Sequence, residues 1–553
     1  MPTPHRFATR LLTRLCAGAA LGASLATIPA LAVPATASAS SRQLAMIQDG
    51  GQLALNPAAA LAKFRALGAN TVRVVMFWYE IAPKASSSKA PARFKATDPA
   101  AYAATAWNLY DQIDRYAAQD GIKVDFTVAG GAPEWAEGKG IPPSGHNPHY
   151  AWKPSAKAYG EFVQAVGKRY SGTYTPAGQS NPLPRVSFWA LWNEPNFGED
   201  LAPQAVNGSQ TPFAPGAYRN LVGAGWSALH KTGHGRDTIL IGEFAARGNT
   251  TSLPSRHAPQ GLPGNYGQTK PLAFIRDLYC VDSSFRELRG SAARNAGCPT
   301  TSAGSRRFRA ANPGLFSASG VGDHPYPDNL SPIADGRTDP DFAAFPDIGN
   351  LERVLDHANR VYGSRTKFNI YNDEYGYITD PPVPPIKHRY VSPTTAAGYL
   401  NWAEYLSWRS RRIASYSQFL INDPPKSTGI YSGFASGLYF SNGKPKQPVL
   451  NAYRLPLWLP KTTVRGSAEV WGEARPAGFL SETPSVAIQL QAGGRGGWST
   501  VDTVHSKGYF DVHVTFRTRG NVRLAYQYPT DPLFPLGVSG TTITSRTVAI
   551  KVR

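Results

Sequence analysis

Cysteine and methionine are scarce in this chain, with three of each among 553 residues. So few cysteines exclude a disulfide-built scaffold, which needs several bridges to replace a core. No histidine pair accompanies Cys280 and Cys298, so a structural zinc site is not indicated. Acids are short too: 37 Asp and Glu stand against 57 Lys and Arg, for a formal net charge of +20. The basic residues are spread along the chain rather than gathered in runs, which argues against nucleic acid as a partner. Past residue 39 no apolar run is long enough to span a bilayer, so no integral membrane segment is expected. No Gly-rich phosphate loop follows the first strand pattern, which removes the main motif of a nucleotide-binding open sheet.

What is present starts with an export pattern. Arg6, Arg10 and Arg14 precede the apolar run LCAGAALGASLATIPALAV, and Ala37, Ser38 and Ala39 supply the small residues of a cleavage site. Residues 1–39 therefore read as a signal peptide, and a secreted protein, with cell-surface association left open, is expected. Losing those three arginines takes the charge from +20 to +17. Removing Cys16 leaves Cys280 and Cys298, which are expected to pair in an exported protein and close a loop of 18 positions (298 − 280). Such a bridge would stabilise by ~3 kcal/mol. The basic balance suits weak adhesion to acidic surfaces, and it leaves an acidic glycan open as a substrate.

Over 40–460, short apolar segments alternate with amphipathic ones. Strands are predicted in RQLAMIQ (42–48), NTVRVVMFW (70–78), KVDFTVAGG (123–131), RVSFWALWNE (185–194), DTILIGEFA (237–245), ASGVGDHPY (318–326), KFNIYNDEYG (367–376) and RIASYSQFLIND (412–423). Between them, Tyr159, Phe162, Val163, Val166 and Tyr170 form a helical stripe, as do Leu351, Val354, Leu355, Ala358 and Tyr362. Ser392 and Pro393 form a helix start. Eight strands alternating with helices predict a (β/α)8 barrel, interrupted from about 246 to 317 by an insertion that holds both remaining cysteines. From 461 to 553 the pattern becomes period-2 alternation in SVAIQLQ, YFDVHVTF, NVRLAYQY and RTVAIKV, which predicts an all-β sandwich. Its Trp471, Trp498 and Tyr509 are either sugar platforms or core aromatics.

In such a barrel, functional groups sit at the C-terminal ends of strands. Glu194 ends the fourth predicted strand and Glu374 the seventh, so the two carboxylates face each other across the barrel mouth. WNEPN (192–196) resembles the fourth-strand signature of the retaining glycoside hydrolases of clan A. The likeness is to the cellulase-like family five and the β-xylosidase-like family thirty-nine. RVVMFWYEIAP, GGAPEWA, DHPYP and DEYGY follow in the order that resemblance requires.

The resemblance implies Glu194 as general acid/base and Glu374 as nucleophile. It implies Asn193 on the substrate 2-hydroxyl, Tyr326 donating to the nucleophile and Arg73 keeping Glu374 charged. His324 would line the subsite beside the cleaved bond, and Trp78, Trp135 and Trp192 would present sugar platforms. The reaction needs two carboxyl groups about 5–5.5 Å apart.

Two departures stand out. The seventh strand reads YNDEYG, where strand alternation sends Asp373 to the opposite face in a structural role, and Glu243 in IGEFA is a rival nucleophile. The eighth strand lacks the tryptophan many clan members place under the sugar, leaving Tyr416, Gln418 or Phe419 to substitute. The resulting expectation is a secreted, monomeric enzyme that cleaves O-glycosidic bonds of a poly- or oligosaccharide by double displacement, with no metal or organic cofactor. The alternative is a non-catalytic carbohydrate-binding or wall-associated barrel. Transglycosylation would differ only in how water is excluded.

Overall fold

A computed structural model describes residues 43–141, 150–205, 212–248, 265–333, 339–379, 390–425, 434–530 and 540–553. The expected signal peptide lies outside these residues. Each of the eight predicted segments holds one strand: β1 (Leu44–Gln48), β2 (Thr71–Phe77), β3 (Lys123–Ala129), β4 (Phe188–Leu191), β5 (Thr238–Ala245), β6 (Gly320–His324), β7 (Asn369–Asn372) and β8 (Ile413–Phe419). They pair in sequence order, all parallel, and β8 pairs back onto β1 to close the barrel.

The apolar runs explain this arrangement. A parallel strand wrapped by helices is buried on both faces, and all four residues of β4 are buried. The helices follow from their caps and stripes. Ser155 accepts from Ala158 N to start Ala156–Arg169, which buries Tyr159, Phe162, Val163 and Val166. Ile348–Val361 buries Leu351, Val354, Leu355 and Ala358, and Ser392 caps Pro393–Arg409. Among the described residues, no helix is long and apolar enough to cross a membrane.

The C-terminal region holds β9 (Leu457–Trp458), β10 (Thr463–Val464), β11 (Ser467–Gly472), β12 (Ser485–Ala492), β13 (Ser499–His505), β14 (Phe510–Thr515), β15 (Gly520–Gln527), β16 (Thr542–Thr544) and β17 (Val548–Val552). One sheet runs β10-β17-β15-β12-β13 with β16 on β15, and the other runs β14-β11-β9. Val470, Val514, Val486, Ile488, Leu524 and Tyr526 contribute to the core the two sheets share. This is the expected β-sandwich.

The sandwich is joined to the barrel through buried chemistry. Ala66, at the end of helix Pro57–Ala66, lies in the sandwich core, and Tyr528 Oη donates to its carbonyl at 2.5 Å. Arg475 pairs with Glu404 of helix Pro393–Arg409 and lies 3.1 Å from Glu473. Trp471 is fully buried, with Tyr509 stacked on it and Tyr405 and Trp408 around it. Neither Trp471 nor Tyr509 is therefore a free sugar platform. Trp498 lies elsewhere, under the Arg523 guanidinium at 4.1 Å.

Cys280 and Cys298 are bonded, with their Cα atoms 5.7 Å apart. The bridge lies against helix Ala214–Lys231, whose Arg219 donates to the carbonyls of Leu278 and Gly297. The insertion thus does two things. Its cysteine-bearing part braces this outer helix, while Arg247 and Gln268 reach the mouth of the barrel.

Candidate active site

A cleft of ≈ 640 Å³ opens at the C-terminal ends of the strands. Glu194 and Glu374 both line it, with carboxylate oxygens within 4.8 Å of one another. Glu194 follows β4, where the backbone leaves the strand through left-handed positions at Trp192 (φ 77°) and Glu194 (φ 36°). Non-glycine residues pay about 1–3 kcal/mol for such conformations, and they gather at functional sites. Glu374 lies two residues past the end of β7.

Arg73 organises the site from the middle of β2. It is fully buried and reaches Glu374 Oε1 at 2.5 Å, Asn193 Oδ1 at 2.8 Å, Gln48 and Glu243. Asn193 passes the chain of contacts on, its Nδ2 donating to Asp200 Oδ1 at 3.0 Å. The second Glu374 oxygen accepts from Tyr326 Oη at 2.9 Å. His324 Nδ1 sits 2.8 Å from Glu194 Oε1.

These surroundings push the two carboxyls apart. Burial drives Glu194 up to about 8, with the nearby Glu374 charge adding to the effect. Burial alone would raise Glu374 as well. His324, Arg73, Tyr326 and Gln48 outweigh it and hold Glu374 below the usual carboxylate range. His324 is itself pushed down to about 4 by burial, so its charge acts on Glu374 only in acid; at neutral pH it is uncharged and Arg73, with Tyr326 and Gln48 donating, keeps Glu374 ionised. At pH 7 the pair therefore consists of a protonated Glu194 and an ionised Glu374.

Beneath the pair lies a third carboxylate. Gly242 has φ 100°, and a β carbon there would come within 2.8 Å of the Gly322 carbonyl oxygen. The register slips between Gly242 and Phe244 and leaves Glu243 as the bulged residue. Glu243 points into the barrel, pairs with Arg73 and accepts from Thr127 Oγ1 at 3.0 Å. It is fully buried and does not line the cleft, so it is not placed to attack a substrate. Asp125 and Asp373 complete this inner layer, both raised by burial with Glu243 adding, and their carboxyl oxygens have no hydrogen-bond partner.

Glu243, His324 and Asp373, like Glu194, His324 and Glu374, are close enough to share a cation. Yet Glu374 and Glu243 already spend their oxygens on Arg73, Tyr326 and Thr127, so these are not waiting ligand sets.

Solved structures with a similar course of chain include a family 39 glycoside hydrolase from the gut symbiont Bacteroides cellulosilyticus WH2. It has 13% identity and a TM-score of 0.46, covering 86% of this chain and 81% of that chain. Another is the endo-β-1,4-mannanase from Thermotoga petrophila, at 11% identity and a TM-score of 0.38, covering 92% and 98%. A third is the exo-β-1,4-mannosidase Op5Man5 from Opitutaceae bacterium strain TAV5, at 14% identity and a TM-score of 0.39, covering 74% and 58%. No protein-family model and no curated protein matches the sequence. The barrel is read from the chain's own closed sheet.

Several residues singled out in the sequence take other positions. Trp78 is fully buried and stacks on Phe162. Trp192 is fully buried against Tyr159, with its Nε1 donating to Asp200 O. Trp135 packs on Trp78 and Phe94, and its Nε1 donates to Pro83 O. Trp78 and Trp192, being fully buried, offer no sugar platform, and Trp135, half-buried, does not line this cleft. His324 is fully buried behind Glu194 rather than lining a subsite. Asp373 turns inward rather than away, because β7 ends at Asn372 and strand alternation no longer applies.

Of the three strand-eight candidates, Phe419 lines the cleft. It meets Phe434 and Tyr326 edge-on, while Tyr416 and Gln418 are buried. Sequence reasoning missed Phe434, Asp200 and Gln48, which carry no periodic signal of their own.

Proposed function

We propose that this protein is a retaining glycoside hydrolase acting on a neutral oligo- or polysaccharide. The observation that carries this reading is the Glu194–Glu374 pair. Its oxygens lie within 4.8 Å at the mouth of a parallel barrel, with Glu194 pushed up to about 8 and Glu374 held low. That closeness and that split in protonation support double displacement, which needs two carboxyl groups about 5–5.5 Å apart, one ionised and one protonated.

In the first step a Glu374 oxygen attacks the anomeric carbon. The bond to the leaving oxygen breaks, and Glu194 gives that oxygen its proton. The product is a glycosyl ester on Glu374. Because the ester is neutral, it no longer raises Glu194, which ionises readily. In the second step Glu194 takes a proton from water, the water oxygen bonds to the anomeric carbon, and the ester bond breaks. Both carboxyls return to their starting states. Tyr326 and Arg73 hold the nucleophile ionised and oriented. Asn193, fixed between Arg73 and Asp200, offers its amide to the 2-hydroxyl.

The lining favours a neutral substrate over the acidic glycan that the overall charge left open. Glu80, Glu199, Asp328 and Glu374 face the cleft beside the protonated Glu194, against Arg73 and Arg247. Arg73 is committed to Glu243 and Glu374, and Arg247 pairs with Asp328 at 2.5 Å. A polyanion would meet net repulsion there. Export is part of the same reading, since the Cys280–Cys298 bridge suits an oxidising compartment.

The test is hydrolysis of aryl β-glycosides and neutral polysaccharides by the wild type, Glu194→Ala and Glu374→Ala. We predict that each variant loses ~10⁴-fold or more of activity on the polysaccharide. With azide, Glu374→Ala should return a glycosyl azide of inverted configuration and Glu194→Ala a retained one. Full activity in either variant would sink the reading. Sugar binding without turnover by the wild type would point to a non-catalytic barrel instead.

A further inference from the structure

A second cavity, of ≈ 390 Å³, lies at the other end of the barrel, in the seam with the sandwich. Gln43, just before β1, lines it and is only 6% exposed, yet neither end of its amide has a hydrogen-bond partner. Arg475 is 1% exposed, and its Nε has no acceptor. Glu473 faces the same space, 3.1 Å from Arg475 Nη2. Buried polar groups are almost always satisfied, and an exception calls for an explanation. Leaving one unsatisfied costs ~1–3 kcal/mol.

Water alone would answer the polar groups. It does not account for the walls, which include Trp408 and Phe479. A planar amide can engage two neighbouring hydroxyls, Arg475 has its Nε–H left to donate, Glu473 can accept, and aromatic faces accept the C–H side of a ring. The volume falls within the range of ligand sites.

We propose that this seam cavity is a second binding site, for a neutral mono- or disaccharide unit, separate from the catalytic cleft. Only the choice of a sugar among polyhydroxylated ligands rests on the proposed reaction. The strand N-terminal end of a barrel of this type is the face where chemistry does not occur, so the site binds without cleaving. A sugar held there tethers a polymer and raises its effective concentration at the mouth.

The experiment is calorimetric titration of the full-length Glu374→Ala protein with cellobiose, mannobiose and xylobiose. Two binding events are expected with at least one of these sugars. Adding Gln43→Leu or Phe479→Ala should weaken one event tenfold or more and leave the other unchanged. Gln43→Leu replaces an unsatisfied amide with an apolar group of like size, so its denaturation midpoint should match or exceed the parent's, which separates lost binding from lost fold. A single event with every sugar, or two events that both survive both substitutions, would overturn the site. Wild-type hydrolysis reports on the cleft alone. An active enzyme with one binding event rejects the seam site and keeps the reaction, while seam binding in an inactive wild type does the reverse.

Discussion

Two arginines in this molecule are built alike and serve different ends. Arg73 and Arg475 are both buried, each beside two glutamates, and in each set a tyrosine hydroxyl donates to one carboxylate. At the mouth these are Arg73, Glu243, Glu374 and Tyr326; at the seam they are Arg475, Glu404, Glu473 and Tyr509. The ionic pattern therefore does not mark a reaction centre by itself. What sets the mouth apart is Glu194, a further carboxyl across open space from Glu374, kept protonated by burial and by its neighbour's charge. At the seam Glu473 is also pushed up, to about 7, by burial with Glu404 adding, but among the described residues lining that cavity it is the sole carboxylate, so no second one faces it across open space. The seam's Glu404 is enclosed and ties helix Pro393–Arg409 to the sandwich. A charge cluster becomes a candidate catalyst when one carboxylate is held ionised across open space from another that stays protonated until the first is neutralised.

Exchanging each arginine for methionine should separate the two roles most strongly. Arg73→Met removes the fixed cation from Glu374, and we expect a loss of roughly 10³-fold in kcat/KM. Arg475→Met leaves Glu404 buried without its cation, and we expect a loss of ~3–5 kcal/mol, read from the urea midpoint. Its activity below that midpoint should match the wild type. If Arg475→Met loses activity while still folded, the two sites are coupled and the contrast fails.

A finer test uses pH. The nucleophile must be ionised and the acid protonated, so kcat/KM should fall as pH drops through the Glu374 value and as it rises through the Glu194 value near 8. As the two carboxyls interact, the limbs report the pair. Glu243 faces Arg73, Asp125, Asp373, His324, Tyr159 and Tyr218 and acts on Glu194 through space. Glu243→Gln should release more of Arg73's charge to Glu374 and take an anion away from Glu194. Both changes lower a pKa, so both limbs should move to lower pH by about one unit. A drop in rate with unmoved limbs would make Glu243 a packing residue only.

The strands were legible because apolar, β-branched runs have few other uses at that length, and all eight fell within their predicted segments. Glu194 and Glu374 were legible as carboxylates placed where such runs end. The tryptophans misled because an indole fills a gap between strand and helix as readily as it faces a sugar. Trp78 and Trp192 both lie in the same buried aromatic layer with Tyr159. The inward turn of Glu243 depends on a bulge at Gly242, which alternation cannot show. The Arg475 set joins positions 404, 473 and 509, and no local pattern links them.

The smallest expected effect, that of Gly121→Ala, serves as the baseline for a test that isolates the seam. Gly68 has φ 83°, and a β carbon there would lie 2.8 Å from Arg475 Cβ and Cγ. Arg475 cannot yield easily, since it is held by Glu404 and by the Tyr453 carbonyl at 2.6 Å. Gly121 provides the control: its φ is 68°, and nothing lies within 4 Å of where its β carbon would stand. Gly121→Ala should cost only the backbone term, about 1 kcal/mol. Gly68→Ala should cost that plus the displacement of Arg475, a further ~1–3 kcal/mol. The difference between the two urea midpoints measures how rigidly the seam holds its arginine. The pH limbs of kcat/KM should stay in place for both variants, because neither residue touches the mouth. Equal midpoints would mean that Arg475 moves freely, and the seam would then be a loose contact rather than the rigid counterpart of the Arg73 site.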